Sequence, residues 1–300
     1  HLWLPGYQRL TQEAVNAACQ VILTGSGGDE WLNVSPTYAA DLIRRFRFTD
    51  LSRLLNQYIH SFNAPSWRLY YYGIWKFGLR PLLGQLTGDI LLASSPGLIR
   101  KRRRDSYLRH QPAWIAPDSS LNQELVRRID ESVEKSIQDQ HIKSIYIKEM
   151  HTSLEHPLVA MELETSYELT RNFNIKKLAP FQDADLVDFL YRTPPKYLIR
   201  GGMAKGMVRE SLAKRFPDLG FDTQKKKAAT GFFRHVLINQ GRISWAASKH
   251  AEALSDLGII DPVKLDHELQ DIFSGKTSPA RAWLIWNILS LESWTKRRLI

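Results

Sequence analysis

Residues 17–24 form a short apolar stretch, β-branched at its centre, that runs directly into Gly25-Ser26-Gly27-Gly28. This pattern is typical of a buried strand that ends in a tight loop. A helix packed beside the strand is predicted from Thr11 to Ala18. No other stretch of the sequence reads as convincingly as a core strand. We therefore expect a mostly helical chain.

Apolar residues at helical spacing predict helices along most of the remaining sequence. Pro117-Asp118-Ser119-Ser120 is a helix-start signal, and apolar residues follow it at every fourth position. Further helices are predicted at 38–48, 157–173, just beyond Pro180, 203–216 and 283–294. The region 66–92, which is rich in Trp and Tyr, is expected to form short helices packed on a core. Its alternative is a hydrophobic groove for a peptide or a partner.

Charge and cysteine content restrict the classes of protein to which the chain can belong. A formal net charge of +10 suits a polyanion, such as nucleic acid, a membrane surface or a nucleotide. The basic run 100–104 reads as a solvated loop. The single cysteine, Cys19, excludes an internal disulfide and a cysteine-based zinc cluster, and it favours a reducing, cytoplasmic setting. No stretch is apolar over the length that a bilayer core requires, so no membrane span is expected.

The loop 25–30, Gly-Ser-Gly-Gly-Asp-Glu, is the first place where the sequence indicates chemistry. Glycines let backbone N–H groups turn towards a phosphate without a Cβ in the way. Asp29 directly follows them and can hold Mg²⁺, which prefers one or two carboxylates plus phosphate oxygens. A purely structural turn is the alternative. The candidate nucleotide contacts in the loop are Gly25, Ser26, Gly27 and Gly28.

Asp183 is the second candidate, because it follows Pro180-Phe181-Gln182 at the start of a predicted helix. An N-terminal cap is the structural interpretation of this aspartate. The functional interpretation makes it an active-site carboxylate that positions or deprotonates an incoming amine.

Two sets of basic residues complete the candidate site. Lys205 and Arg209 stand four residues apart, which would place both cations on one face of the predicted helix 203–216 as nucleotide contacts or as surface charge. Lys226 and Lys227 lie in a loop rich in small residues. A lysine there can neutralise charge that develops on a phosphate or acyl-adenylate oxygen. The sequence does not decide which lysine of 225–227 points inward.

The order of these motifs resembles the synthetase domain of asparagine synthetases and of the related β-lactam synthetases and lasso-peptide cyclases. The resemblance runs from Val21 to Trp294 and ends in a Trp-rich helix that contains Leu-Glu-Ser-Trp at 291–294. Its most specific parts are 23–30 and 180–183.

The resemblance implies a mostly α-helical fold that forms the carboxyl-terminal part of an α/β PP-loop ATP pyrophosphatase domain (adenine nucleotide alpha hydrolase-like). Residues 1–33 would be a remnant of the nucleotide-binding core, and residues 34–300 the helical part. The implied reaction joins a carboxylate to an amine. ATP and Mg²⁺ convert the carboxylate to an acyl-adenylate, and an amine or ammonia then displaces AMP.

The resemblance also implies roles for the candidate residues. Asp29 would bind magnesium and pyrophosphate, and the loop glycines would lie along the nucleotide. Asp183 would belong to the region that arranges the nucleophile. Lys227, or Lys226, would stabilise the pentavalent phosphorus and the acyl-adenylate.

Departures from the family pattern shape the expected substrate. The phosphate-binding motif Ser-Gly-Gly-x-Asp-Ser is absent from these 300 residues, so we expect a piece of a longer protein that is inactive by itself. Ser26 replaces a usual acid, Trp31-Leu32-Asn33-Val34 replaces Phe-Gly-Gly-Tyr, and Leu178 replaces a common arginine. These changes favour a carboxylate substrate other than aspartate, such as a peptide in a macrolactam cyclase or another natural-product enzyme.

Two other classes of function are compatible with the sequence. One is a basic helical module that binds nucleic acid or an acidic peptide, although the chain carries no recognisable nucleic-acid motif. The other is an inactive synthetase-like scaffold kept for protein interaction.

Overall fold

The protein is mostly helical in a computed structural model that describes residues 4–61, 65–199, 203–225, 230–276 and 282–298. The first half contains α1 (Leu4–Asn16), β1 (Val21–Leu23), α2 (Gly28–Trp31), α3 (Tyr38–Arg44), α4 (Phe48–Ser61), α5 (Ser66–Tyr71), a π-helix (Tyr72–Leu79), α6 (Arg80–Ser94), α7 (Pro96–Arg109), α8 (Ser119–Gln138) and α9 (Ile145–Leu154). The second half contains α10 (Pro157–Asn172), β2 (Lys176–Leu178), α11 (Ala184–Arg192), α12 (Pro195–Leu198), α13 (Gly206–Arg215), α14 (Thr230–Ala247), α15 (Glu252–Asp256), α16 (Pro262–Phe273) and α17 (Ala282–Arg298). Short 3₁₀ turns cover Asp139–His141, Pro180–Gln182 and Pro217–Leu219. The prediction of a mostly α-helical fold is confirmed.

Strand β1 forms where it is predicted, but it has a partner that the sequence did not reveal. It pairs in parallel with β2, with Val21 opposite Lys176 and Leu23 opposite Leu178. The sequence analysis did not identify β2. The predicted burial of β1 is wrong, because Val21 is 44% exposed and Leu23 68% exposed.

A larger α/β core stays a prediction. Within the described ranges, strand pairing consists of this two-stranded sheet and one isolated bridge between Ile115 and Ile260. The predicted division of the chain at Asn33 also stays a prediction, although the sheet joins a strand before that position to one far beyond it.

The chain divides into two compact units. Unit 1 comprises residues 1–89 and 140–226, and unit 2 comprises residues 90–139 and 227–300. The core of unit 1 is apolar and includes Trp31, Val34, Leu42, Leu54, Tyr146, Met150, Leu190 and Leu198. Burial of these side chains holds α2, α3, α4, α9, α11 and α12 together, because each contributes apolar area that folding removes from water.

A buried carboxylate fixes α9 against α3 in unit 1. Asp41 is 1% exposed and accepts hydrogen bonds from the Ser144 hydroxyl at 2.5 Å and from the backbone N–H of Ile145 at 3.1 Å. It therefore satisfies donors at the first turn of α9 that have no partner within the helix.

The region 66–94 forms a continuous helical run rather than the short helices that we predicted. Tyr72 and Arg80, at the two ends of the π-helix, keep right-handed helical dihedrals, so α5, the π-helix and α6 follow without a break. Gly78 packs against α3, where a Cβ would lie 2.6 Å from Ile43 Cδ1. Gly73 packs against α4, where a Cβ would overlap Leu55.

In unit 2 the basic run 100–104 lies in α7, so the prediction of a loop is wrong. Arg100 and Arg104 bond Glu134 and Asp130 of α8 at 2.8 and 2.7 Å. Asp118 caps α8 as predicted, accepting from the N–H groups of Ser120 and Leu121. In the part of the chain that is described, no helix combines the length and apolar character needed to cross a bilayer.

Candidate active site

The glycine loop lies at the carboxyl end of β1 in unit 1, where its backbone takes a shape that only glycine adopts without strain. Gly27 has φ 89° and ψ −21° and immediately precedes α2. A Cβ on Gly27 would lie 2.6 Å from the carbonyl oxygen of Phe181. The loop can therefore pack directly onto the Pro180–Gln182 turn because residue 27 has no side chain. Two motifs that lie more than a hundred residues apart in sequence are thus in contact.

The third motif joins them through an ion pair. Lys205 Nζ lies 2.8 Å from Asp29 Oδ1, and both side chains remain partly exposed. An exposed pair of this kind contributes little to stability, so a phosphate group can compete for the lysine at small cost. The arrangement offers a cation and a carboxylate at the same end of the glycine loop.

Lys205 itself lies outside the helix in which it was predicted. It precedes α13 with φ 60° and ψ 33°, in the left-handed region. This turn directs its ammonium group to Asp29, whereas a helical residue would share a face with Arg209. The predicted helical face formed by both cations is therefore wrong.

Arg209 is used differently from Lys205. Its Nη1 donates to the carbonyl oxygens of Phe221 and Gln224, each at 2.7 Å. These bonds tie α13 to the segment that leads into the lysine loop. Lys225 is exposed, while Lys226 and Lys227 lie outside the described residues.

Asp183 caps α11. Its Oδ1 accepts hydrogen bonds from the backbone N–H groups of Asp185 and Leu186, both at 3.1 Å. The capping interpretation is confirmed, and the proposed contact of this carboxylate with a nucleophile stays a prediction. Gln182, the residue before Asp183, lines an adjacent cavity.

A cavity of about 150 Å³ opens beside the glycine loop. Its lining includes Thr24, Ser26, Glu162, Tyr167, Lys177 and Gln182. Thr24 Oγ1 and Gln182 Oε1 are buried without a hydrogen-bond partner. Native proteins leave few such atoms unpaired, and both belong to residues that line this cavity.

The cavity also holds a charge pair that the sequence analysis missed. Burial lowers the pKa of Lys177, and the negative charge of Glu162 partly offsets that effect. The ammonium group of Lys177 lies 4.7 Å from the ring centroid of Tyr7 on α1, a cation–π contact. The sequence analysis missed Lys177 because it did not identify β2. With β2 paired beside β1, Lys177 is the central residue of a strand next to the glycine loop.

A second cavity, of about 260 Å³, lies on the side of the loop that carries Asp29 and Glu30. Glu149 and Tyr146 also line it. Glu149 Oε2 accepts a hydrogen bond from the Ser35 hydroxyl at 2.6 Å. Burial, and to a smaller extent the charge of Glu149, raise the pKa of Tyr146 to about 12, so this phenol is neutral at physiological pH.

The donor set around Asp29 fits a magnesium ion that is shared with a nucleotide. Across the described ranges no group of three or more His, Cys, Asp or Glu side chains could hold a metal alone. Mg²⁺ does not need such a group when phosphate oxygens complete its coordination.

Comparison with known proteins gives one match. The family model of asparagine synthase matches residues 7–296. None of the curated proteins matches the chain, and no solved structure does.

Proposed function

The chain belongs to the asparagine synthase family, and on that basis we propose that it takes part in ATP-dependent amide-bond formation. A carboxylate oxygen attacks the α-phosphorus of ATP and releases pyrophosphate. An amine then attacks the acyl carbon, loses a proton and displaces AMP. The contact of Lys205 with Asp29 at the glycine loop carries this proposal, because it brings together three motifs that the family model spans.

Lys205 and Asp29 would serve the pyrophosphate end of the nucleotide. The lysine can move from Asp29 to a phosphate oxygen, since its pair is solvent-accessible. Asp29 would then hold Mg²⁺, which when bound neutralises phosphate charge. Gly25, Ser26, Gly27 and Gly28 would lie along the nucleotide. Arg209 would help to position the lysine loop through its bonds to the carbonyl oxygens of Phe221 and Gln224, and its contact with the nucleotide stays a prediction.

The cavity of about 150 Å³ would receive the group that is joined. Lys177 can bind a carboxylate, and Glu162 can accept the proton that the amine loses. Gln182 also lines this cavity. Asp183 would support this side of the site by fixing the helix start that follows Gln182. Lys227, or Lys226, would stabilise the acyl-adenylate.

A peptide or another natural-product precursor is the proposed substrate class. The residues Trp31-Leu32-Asn33-Val34 and Leu178 depart from the asparagine-forming pattern, and Lys177 adds a cation to the cavity. Macrolactam formation joins a side-chain carboxylate to an amine of the same peptide, and it needs no separate ammonia source. We place the reaction in the cytoplasm, where ATP is available.

A basic binding module is less well supported. The arginine run of α7 is partly neutralised by Glu134 and Asp130. An inactive scaffold would not need Lys205 and Asp29 to meet, because the exposed pair adds little stability.

The test is ATP–pyrophosphate exchange by the chain together with any upstream segment that its gene encodes. L-aspartate and acidic peptides serve as carboxylate probes. Asp29→Asn and Lys205→Met should each lower exchange by roughly 10²-fold or more, the usual effect of removing a group that stabilises charge in the transition state. Lys214→Met, which removes an exposed lysine on α13, is the matched control.

Exchange at the wild-type rate by Asp29→Asn would refute the magnesium and pyrophosphate assignment. A product peptide that has lost one water would identify a cyclase, whereas asparagine formed from aspartate and ammonia would refute the proposed substrate class.

A further inference from the structure

One face of the long helical run carries large apolar side chains that remain in water. We define the aromatic ridge as Trp67, Tyr71, Tyr72, Trp75, Leu83 and Leu86, all in unit 1. Trp67 is 67% exposed, Tyr71 54% and Leu83 51%. Single exposed apolar residues are ordinary, but a row of large ones along one helical run marks an interaction surface.

The packing of the helical run on unit 1 fixes its rotation, so the aromatic ridge faces away from the core. The opposite side of the π-helix packs through Gly73 and Gly78, where added Cβ atoms would overlap Leu55 and approach Ile43. In α6, Gln85 fixes the rotation by donating to the carbonyl oxygens of Ile142 and Lys143 at 3.2 and 3.1 Å. The glycines and Gln85 therefore hold the aromatic side chains outward.

The charged residues within the segment that carries the ridge are basic, and the next acid along the chain, Asp89, pairs with Lys143 at 3.1 Å. Residues 66–88 contain Arg68, Lys76 and Arg80 and no Asp or Glu. The Arg68 guanidinium lies 5.3 Å from the Trp67 ring centroid, and Lys76 Nζ lies 5.1 Å from that of Tyr72. Cations and aromatic rings are thus side by side on one exposed surface. Such a surface is complementary to a layer of negative charge above an apolar interior.

We propose that the aromatic ridge docks the protein onto a membrane surface rich in anionic lipids. Trp and Tyr favour the headgroup region, and neighbouring Lys and Arg add attraction to anionic lipids. A second copy of the chain is disfavoured as the occupant because both copies carry +10. A helical ridge is convex, which suits a flat surface better than it suits an extended peptide. The protein would lie on the bilayer without crossing it.

Vesicle flotation tests this inference independently of any enzymatic activity. The purified chain is mixed with vesicles of phosphatidylcholine alone or of phosphatidylcholine with phosphatidylserine. We expect flotation with the phosphatidylserine vesicles and its loss at high salt, because salt screens the attraction. Trp67→Ser/Trp75→Ser and Arg68→Glu/Lys76→Glu should each weaken binding roughly tenfold or more.

Matched controls carry the same changes elsewhere. Trp294→Ser removes a tryptophan that is 53% exposed, and Lys214→Glu/Arg215→Glu reverses two charges on α13. Both controls should float like the wild type. Tyr71→Ser/Leu86→Ser is a second ridge variant, and circular dichroism checks that each variant is folded.

Four outcomes would overturn the proposal. Wild-type protein that floats no better with phosphatidylserine than without it would do so. Ridge variants that float like the wild type would exclude the ridge, and charge-reversed controls that lose binding equally would show a non-specific effect of net charge. Binding of an acidic protein through the ridge, without lipid binding, would also contradict it.

Discussion

Lys177 is expected to lower the stability of the folded protein while it contributes to substrate binding. Its burial in the cavity lowers its pKa, so the folded state disfavours the charged form. Between that lowered pKa and the ordinary value of about 10.4 the unfolded chain binds more protons, and stability therefore rises with pH through this window. Below this pH range Lys177 is charged in both the folded and the unfolded state, and the folded state carries the full free-energy cost of burying that charge.

We therefore expect Lys177→Met to keep or raise the thermal midpoint at pH 7 while it abolishes use of the carboxylate substrate. Thermal unfolding at pH 7 and pH 10 measures the first effect, and the gain over wild type should shrink at the higher pH. Lys176→Met, an exposed neighbour on the same strand, is the control. A lower midpoint for Lys177→Met would mean that the lysine is needed for folding.

Gly25 and Gly27 of the loop should respond differently to a methyl group. Gly27→Ala combines a left-handed backbone with an approach of 2.6 Å to the Phe181 carbonyl oxygen, so it should cost about 1–3 kcal/mol or more of unfolding free energy. Gly25→Ala has open space around its Cβ and should unfold like the wild type. Urea unfolding of the two variants measures the difference, and equal midpoints would contradict the packing of the loop on Phe181.

At the scale of single residues, the sequence predicted the positions of those that belong to local motifs. Gly27 and Asp29 follow a strand, and Asp183 precedes a helix, so their positions could be inferred from neighbouring residues. Glu162 and Lys177 could not be inferred in this way, because their proximity depends on how a helix and a strand pack. No local pattern distinguishes them from surface charges.

At the scale of elements, Arg209 should control the order of the segment before the lysine loop. Arg209→Gln cannot reproduce both bonds to Phe221 and Gln224. Since these are charge-assisted bonds, we expect the loss to weaken local structure by about 1.5–3 kcal/mol and to speed tryptic cleavage after Lys225 roughly tenfold or more. Timed trypsin digestion with mass spectrometry measures this rate. Arg215→Gln is the control, and equal cleavage rates would show that the two bonds do not order the segment.

Two helices with side-chain caps, α8 and α11, were predicted well from the sequence. Asp118 begins α8 and Asp183 begins α11, and both caps depend only on adjacent residues. Strand β2 was missed because Lys-Lys-Leu has neither alternation nor β-branched residues, and it forms only because β1 offers a partner. The continuous run 66–94 was missed because its glycines read as helix breaks, whereas Gly73 and Gly78 allow close packing.

At the scale of the whole molecule, the chain should bind ATP weakly by itself. The 300 residues hold Asp29 and Lys205 but contain no Ser-Gly-Gly-x-Asp-Ser sequence. Calorimetry with MgATP should therefore give a dissociation constant of about 1 mM or weaker, against a tighter value for a protein that includes that motif. Micromolar binding by these residues alone would contradict the prediction.

The parallel pairing of β1 with β2 has a consequence for biosynthesis. About 150 residues separate the two strands, so a ribosome adding 5–20 residues per second needs roughly 8–30 seconds to produce the second strand after the first. During that interval the nascent chain presents Val21 and Leu23 on an unpaired strand, which is a template for association with other chains. Chaperone demand during translation should consequently fall once residue 178 has emerged.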